Sequence, residues 1–254
     1  MIDWQHAFGK GKYRRKTIGF GNYNKKDRLF DDEIYIRELS IVDGGFGCAL
    51  WDAAILFSRW IYHNSDIFSG QDVLELGAGV GSCGLTCARF ANKVYITDYI
   101  DSVIDNINYN VQLNSDVLSS DSVDIPPKVR GNHNIKERCF AQKLDWTTPL
   151  DSTVPKCDII IGSELTYSNL FINDLMKTLT LYAHPHSAFY EVLSTDRDGV
   201  SNFIDLVEDN GWSCKVNPPP DYCFGEFNTG QREEEYLFYT FRPDDVQCRF
   251  PDFK

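Results

Sequence analysis

A glycine-rich turn placed directly after a short apolar segment constrains this chain more than any other feature. Val73 and Leu74 lead into Glu75-Leu-Gly-Ala-Gly-Val-Gly-Ser82, and a helix-forming stretch follows over residues 83–90. Glycine has no Cβ, so the backbone of such a turn can come within contact distance of a ligand. The helix that follows begins with N–H groups that have no partner inside the helix. The segment therefore predicts a strand, a turn and a helix that hold a nucleotide or a nucleoside.

The acidic residue at the start of this turn indicates which ligand it takes. The stretch 79–84 matches the dinucleotide pattern G-x-G-x-x-G, but Glu75 stands two residues before the first glycine of the turn. A carboxylate there would repel a pyrophosphate, because phosphates bind helix N-termini through positive potential. It suits a ligand that carries an ammonium group, such as S-adenosylmethionine. An NAD-dependent oxidoreductase is therefore disfavoured.

A second acid follows the next predicted strand. Residues 93–97 are rich in β-branched and aromatic side chains, and Asp98 comes directly after them. Doubly wound folds place an acid at this point, where it binds the ribose hydroxyls of a nucleoside. Either acid alone would be an ordinary solvated residue at a strand end. Together, Glu75 and Asp98 favour S-adenosylmethionine as the cofactor.

Strand and helix patterns alternate along the rest of the chain. A strand over 33–39 and an amphipathic helix over about 50–63 precede the glycine turn. Further strands are predicted at 72–76, 93–97, 139–144, 157–161 and 188–193, with helices at 82–91, 101–113, 169–182 and 198–210. Segments 212–216 and 236–241 are typical of a closing hairpin. This order predicts an α/β fold, a Rossmann-like, doubly wound, seven-stranded and mostly parallel sheet with a C-terminal antiparallel hairpin.

Length and charge limit the possible domain organisations. The 254 residues suffice for one α/β domain with an N-terminal extension. Residues 1–28 carry eight basic and two acidic side chains, so this stretch is at +6 and the remainder at −18, within a net charge of −12. We therefore expect a basic, flexible arm over 1–32 and a single domain over 33–254. The polar segment 114–138 is expected to be a surface insertion with little order.

Composition also limits the possible partners and the possible cellular compartment. An acidic body argues against a nucleic acid substrate, whereas it suits a basic protein partner, although acidity also serves solubility alone. No apolar stretch approaches the roughly 20 residues of a membrane span, and the N-terminus has no apolar signal region. The eight cysteines show no C-x-x-C spacing and no metal-ligand pattern. We expect a reduced, monomeric protein of the cytoplasm or nucleus with no metal and no membrane association.

Five motifs carry a resemblance to a known family. They are Leu50-Trp-Asp-Ala-Ala54, Leu74-Glu-Leu-Gly-Ala-Gly-Val-Gly81, Thr97-Asp98, Leu144-Asp-Trp146 and Ser163-Glu-Leu-Thr-Tyr167. Over residues 33–242 the chain resembles the class I, seven-β-strand methyltransferases that use S-adenosylmethionine, and within them the methyltransferase-like 21 group of family 16. The glycine motif identifies only the superfamily, whereas the combination of Trp-Asp-Ala-Ala, Leu-x-Trp and Glu-x-x-Tyr is far more specific. Many members of that group are protein-lysine methyltransferases, so the resemblance implies N-methylation of a lysine in a protein substrate.

The resemblance also implies roles for the matched positions. The cofactor-binding residues would be Trp51, Glu75, Gly77, Ala78, Gly79, Asp98, Trp146 and Ser163. Trp51 would lie over the cofactor, Trp146 would flank the adenine, and Ser163 would line the floor of the site. Glu164 and Tyr167 would be the catalytic residues that hold the target amine. The chain departs from the group where Trp146 is followed by threonine instead of glycine, and where Glu164 replaces the commoner aspartate.

The chemistry of amine methylation is consistent with these roles. A lysine ammonium, with a pKa of about 10.4, must lose its proton before its nitrogen can attack. A carboxylate at the end of the fourth strand can aim the amine, and an aromatic ring beside it can hold an alkylated cation. Glu164 and Tyr167 taken alone would be a helix-capping acid and a packed aromatic. Two alternatives stay open: a methyltransferase of the same fold acting on arginine, histidine or a small amine, and a non-catalytic module that binds S-adenosylmethionine and a partner protein.

Overall fold

A computed structural model describes residues 14–24, 29–119, 134–195, 197–224, 236–244 and 250–253. The strands are β1 (Arg14–Asn24), β2 (Leu29–Glu38), β3 (Asp72–Glu75), β4 (Lys93–Asp98), β5 (Cys139–Lys143), β6 (Cys157–Ser163), β7 (Ala183–Ser194), β8 (Trp212–Asn217) and β9 (Tyr236–Pro243). The α-helices are α1 (Ile41–Gly44), α2 (Asp52–His63), α3 (Ser65–Phe68), α4 (Ser82–Cys87), α5 (Asp101–Ser119), α6 (Ile135–Arg138), α7 (Ile172–Tyr182) and α8 (Val200–Asp209). Short 3-10 helices span Gly45–Cys48, Pro149–Asp151 and Asp221–Cys223.

Seven strands form one sheet in the order β5-β4-β3-β6-β7-β9-β8. The pairs from β5 to β7 are parallel, whereas β9 pairs antiparallel with both β7 and β8. The predicted fold class is therefore confirmed, including the closing hairpin. From β3 the chain moves outward through β4 and β5, and then returns at β6 on the other side of β3. The topological switch point, where ligands bind in such sheets, thus lies at the carboxyl ends of β3 and β6.

Helices cover both faces of this sheet. Successive side chains of a strand point to opposite faces, so Val73 belongs to one buried cluster and Leu74 to the other. The first cluster lies under α2, α4 and α5, and the second lies under α7 and α8. In the described ranges no single helix is long and apolar enough to cross a membrane, although Ile41–Cys48 and Asp52–His63 would qualify together as a bent pair. Most of α2 is buried in the first cluster.

Part of the predicted N-terminal arm is an ordered strand. β1 pairs with β2 in a separate two-stranded sheet, and Ile18 and Phe20 are 1% exposed. The ring of Phe20 stacks on Tyr62 of α2 with the centroids 4.5 Å apart. Residues 14–24 and 29–32 are therefore not loose, because alternate apolar side chains among the basic residues reach the core. Residues 1–13 and 25–28 lie outside the described part of the chain.

Helix α5 extends into the predicted insertion at 114–138. It ends at Ser119 instead of 113, and α6 forms a further turn just before β5. Asn106, Asn110 and Asn114 recur every fourth residue, so they share one face of α5, and all three are buried. Asn114 accepts a hydrogen bond from the Tyr35 N–H at 2.9 Å and donates one to the Tyr35 carbonyl at 2.8 Å. The polar side chains thus complete the edge of β2, and residues 120–133 lie outside the described ranges.

Candidate active site

The glycine turn between β3 and α4 forms the centre of the site. Gly77, Gly79 and Gly81 have φ angles of 53°, 54° and 79°, in the left-handed region that side chains strongly disfavour. A Cβ built on Gly77 would lie 2.8 Å from Leu165 Cδ2 and 3.3 Å from the Trp146 ring. The loops that follow β5 and β6 therefore pass directly over the turn, and only glycine allows this approach.

Glu75 lies beneath this turn. Its side chain is buried, and its Oε2 accepts a hydrogen bond from the Gly84 N–H of α4 at 2.8 Å. Burial raises the pKa of the Glu75 carboxyl to about 8. Its carboxyl group faces α4, and the expected attraction of Glu75 to a ligand's ammonium stays a prediction. In this structure Glu75 supports the glycine turn from below.

Asp98 joins the glycine turn to the loop that follows β4. Its Oδ2 accepts from the Gly79 N–H at 3.1 Å, and its Oδ1 accepts from Tyr99 and Ile100 N–H groups at 2.8 and 3.2 Å. Burial raises the pKa of the Asp98 carboxyl, and these backbone hydrogen bonds act in the opposite direction. Each carboxylate oxygen has about two acceptor positions, so Oδ2 can accept one further donor.

The other predicted cofactor residues lie around this centre. Ala78 donates its N–H to the Thr97 carbonyl at 2.8 Å, which fixes the turn against β4. The partly buried Trp146 places its ring beside Gly77, and Ser163 is the last residue of β6. The structure therefore brings the predicted residues that follow β3, β4, β5 and β6 to one edge of the sheet.

Exposed aromatic side chains form one rim of the site. Trp51, immediately before α2, is 48% exposed, and its indole N–H donates to the Phe46 carbonyl at 2.9 Å. The Phe46 ring lies 6.1 Å from the ring of Tyr167. Burial and, after it, the nearby Tyr99 and Asp98 raise the pKa of Tyr167. Phe46 and Tyr99 were not predicted from the sequence. The glycines that surround Phe46 in residues 44–47 were a signal that could have indicated a functional loop there.

Glu164 is held in an unusual backbone conformation. With φ of 57° it is the one non-glycine residue in the left-handed region among those described. Its Oε1 accepts from the Ser194 N–H at 2.7 Å, and its Oε2 accepts from Arg197 Nε at 2.6 Å. Such backbone strain, about 1–3 kcal/mol, is concentrated at functional sites. The predicted catalytic acid is thus an ion-paired carboxylate fixed to the end of β7, and Arg197 had no sequence signal.

A second acid near this loop was also missed. Glu191 of β7 is fully buried, and its Oε1 accepts from the Leu165 N–H at 3.1 Å. An acid inside the apolar stretch 188–193 was the available signal. Glu191 therefore places a carboxyl group directly under the loop that carries Glu164 and Tyr167.

The residues present fit S-adenosylmethionine. The left-handed glycines leave room for a ligand's close approach, and Asp98 keeps an acceptor position for a ribose hydroxyl. The Trp146 ring beside Gly77 offers a flat surface for an adenine. All of these groups lie at the switch point of the sheet, where doubly wound folds bind nucleosides.

Known proteins are similar to the part of the chain that contains this site. A family model described as lysine methyltransferase matches residues 30–210. The mouse (Mus musculus) protein N-lysine methyltransferase METTL21A is 25% identical over 231 residues, which cover 90% of this chain and 95% of that protein. The human (Homo sapiens) protein-lysine N-methyltransferase EEF2KMT is 29% identical over 143 residues, which cover 54% of this chain and 40% of that protein.

A solved structure resembles this fold. The glycopeptide N-methyltransferase MtfA aligns with a TM-score of 0.51 and 12% identity, over 75% of this chain and 90% of that one. At this identity the likeness shows the fold alone. The family model, in contrast, covers most of the chain, including every predicted site residue. The chain therefore belongs to the lysine methyltransferase family.

Proposed function

We propose that this protein transfers a methyl group from S-adenosylmethionine to the side-chain amine of a lysine in another protein. Family membership supports the reaction, and the names of the mouse and human relatives support a protein-lysine acceptor. One observation carries the proposal: Asp98 accepts a hydrogen bond from the Gly79 N–H of the glycine turn and lies near enough to Tyr167 to raise its pKa. This supports a nucleoside site next to an acceptor site.

The residues around the glycine turn would hold the cofactor, which supplies the methyl group as part of a sulfonium. Asp98 would accept hydrogen bonds from the ribose hydroxyls, and Trp146 would lie against the adenine. Gly77 and Gly79 would allow close approach of the ligand to the backbone. Glu75 would act through the turn, because its carboxyl bonds to the Gly84 N–H on the buried side.

The loop after β6 would bind the acceptor amine. Glu164 presents a carboxylate whose direction is fixed by Ser194 and Arg197, so it can attract a lysine ammonium and orient it. The half-exposed Tyr167, with Phe46 beside it, offers ring faces to an alkylated cation. Removal of water from the amine by these rings would lower its pKa and favour the free lone pair.

The acidic body supports the remaining proposals about partners. We infer that the protein binds a basic region of its acceptor, works as a monomer and does not use nucleic acid as its substrate, because residues 29–254 carry a strong net negative charge. We also propose that it acts in the cytoplasm or the nucleus. Sedimentation of the purified protein tests the monomer, and fluorescence imaging of the tagged protein tests the compartment.

The reaction is tested with tritiated S-adenosylmethionine and a cell extract. We expect a labelled protein band whose methyl group maps to a lysine side chain after digestion and mass spectrometry. Label on arginine, on histidine or only on small amines would support the corresponding alternative instead. Binding of S-adenosylhomocysteine in calorimetry, without any label transfer, would indicate a non-catalytic module. Tighter binding of NAD than of S-adenosylhomocysteine would contradict the choice of cofactor.

A further inference from the structure

Glu191 is a buried carboxyl group that the proposed reaction does not use directly. It lies in β7 between β6 and β9, where it is aligned with Gly162 and Tyr239, and its exposure is 0%. Its Oε1 accepts from the Leu165 N–H at 3.1 Å, and the Thr166 N–H also interacts with this carboxyl. Complete burial disfavours the ionised form more than these two N–H groups favour it, so this carboxyl is expected to retain its proton.

The acidic groups around Glu191 favour its protonated form, whereas the N–H groups of Leu165 and Thr166 favour the ionised form. Glu164 faces it from the loop after β6, Tyr239 from β9 and Cys214 from β8, and Glu208 of α8 lies beyond Cys214. The nearby cation, Arg197, is paired with Glu164. Burial raises the pKa of the Glu191 carboxyl to about 8, and the neighbouring Glu164 carboxylate also raises it.

The loop above Glu191 is anchored mainly to β7. Glu164 donates its N–H to the Val192 carbonyl at 3.0 Å, next to the bond between Leu165 and Glu191. On the other side, a Cβ at Gly199 would collide with the Thr166 carbonyl oxygen, so α8 begins in direct contact with the loop. The left-handed conformation of Glu164 depends on these anchors, because it is otherwise unfavourable for a residue with a side chain.

We propose that Glu191 is a positioning residue for methyl transfer: its carboxyl group fixes Leu165, and thereby holds Glu164 and Tyr167 toward the acceptor amine. Ionisation of Glu191 places a second negative charge beside Glu164 in a buried space, and we expect this repulsion to outweigh the stronger hydrogen bond that a carboxylate accepts from the Leu165 N–H, so that the loop loosens. The role in methyl transfer rests on the proposed function, whereas the anchoring of the loop does not. Glu191 thus makes the geometry of residues 164–167 depend on pH.

As the pH rises, ionisation of Glu191 and deprotonation of the acceptor lysine change the methylation rate in opposite directions. A rising pH increases the fraction of free lysine amine, but above about pH 8 it also ionises Glu191. We therefore expect the wild-type rate to rise less steeply above pH 8 than the rate of an E191Q variant, which retains the acceptor for Leu165 but cannot ionise.

Amide hydrogen exchange of residues 163–168, followed by mass spectrometry, tests the anchoring. In an E191M variant, which has similar volume and no acceptor, we expect exchange to be about tenfold faster than in the wild type. E191Q should exchange like the wild type at pH 7 and more slowly than the wild type at pH 9. A Phe189→Leu variant, altered on the same buried face of β7, serves as the control for core damage and should leave the loop unchanged. Equal exchange in E191M and wild type at both pH values would overturn the proposal.

The positioning role is tested by the rate of methyl transfer to the protein that becomes labelled in the tritium experiment. E191M should lower kcat by about tenfold or more while the Kd for S-adenosylhomocysteine stays within about twofold of wild type. E191Q should restore kcat at pH 7, and its rate relative to wild type should increase from pH 7 to pH 9. An unchanged kcat in E191M, or a constant ratio of E191Q to wild type, would contradict it. If the wild type labels no lysine at all, the proposed function fails, and the exchange experiment still decides whether Glu191 anchors the loop.

Discussion

At the scale of single residues, a change at Asp98 tests the proposed cofactor site most directly. An Asp98→Ala change removes the acceptor of three backbone N–H groups and the proposed partner of the ribose. Because hydrogen bonds to a charged group contribute about 1.5–3 kcal/mol, we expect the Kd for S-adenosylhomocysteine to rise at least about tenfold in calorimetry. Asp101→Ala removes an exposed acid three residues away and should leave the Kd unchanged. Equal binding by the Asp98→Ala variant and the wild type would remove Asp98 from the site.

A change at Glu164 tests the proposed acceptor site separately from cofactor binding. Glu164→Gln retains an acceptor for the Ser194 N–H but loses the negative charge that Arg197 fixes. We expect methyl transfer to fall by about 100-fold, the loss that accompanies removal of one preorganised electrostatic group, with S-adenosylhomocysteine affinity unchanged. The measurements are label transfer from tritiated S-adenosylmethionine and calorimetry. Asp174→Asn, on the surface of α7, is the control, and full activity of Glu164→Gln would exclude the charge from the mechanism.

Local motifs predicted the residues whose roles depend on backbone conformation. Gly77 and Gly79 were predicted from the glycine motif and the family resemblance, and Asp98 from its place after a predicted strand, and the structure places all three together. The environment of Glu75 was not predictable, because its burial depends on α4 folding back over the strand. Glu191 and Arg197 likewise gain their partners only when β7 lies beside β6.

At the scale of elements, the asparagine face of α5 makes a testable contribution to stability. Asn114→Ala would leave both backbone groups of Tyr35 without these partners in a buried position. We expect the free energy of unfolding to fall by about 2–4 kcal/mol in urea titrations. Asn108→Ala changes an exposed asparagine of the same helix and should cost less than about 0.5 kcal/mol, since alanine favours helices. Similar losses in the two variants would contradict the role of this face.

The same helix shows where element prediction failed. Apolar periodicity ended near residue 113, so the polar residues beyond it were interpreted as an insertion, although Asn114 is 2% exposed. Polar residues that hydrogen-bond to the edge of a strand cannot be distinguished by sequence from polar residues that are exposed to solvent. Strand β1 was missed for a related reason, because basic residues surround the buried Ile18 and Phe20. The strands of the main sheet were predicted within two residues at each end, except that β7 begins at Ala183, five residues before the predicted 188, because the polar residues 184–187 hide its start.

At the scale of the whole molecule, two buried acids link stability to pH. Burial raises the pKa values of Glu75 and Glu191 from 4.5 to about 8. Between these values the unfolded chain loses the protons that the folded chain retains, so this contribution to stability is complete below about pH 4.5 and is lost as the pH rises to about 8. We expect urea unfolding at pH 5–8 to show a smaller decline for a Glu75→Gln/Glu191→Gln variant than for the wild type. Identical pH slopes would show that neither acid is protonated in the folded state.

The topology brings the separate motifs into one site. Residues from the ends of β3, β4, β5 and β6 are far apart in sequence, but the parallel sheet places all four ends on one edge. Strand alternation predicted this edge and the resemblance predicted Trp51 and Tyr167, whereas the place of Phe46 between these two residues required the three-dimensional arrangement.

A crystal structure with S-adenosylhomocysteine would test the central claim most directly. We expect the ribose hydroxyls within hydrogen-bonding distance of the Asp98 carboxylate, the adenine against Trp146, and the sulfur facing the loop that carries Glu164 and Tyr167. A ligand bound elsewhere on the molecule, with the glycine turn and Asp98 making no contact with it, would contradict the account.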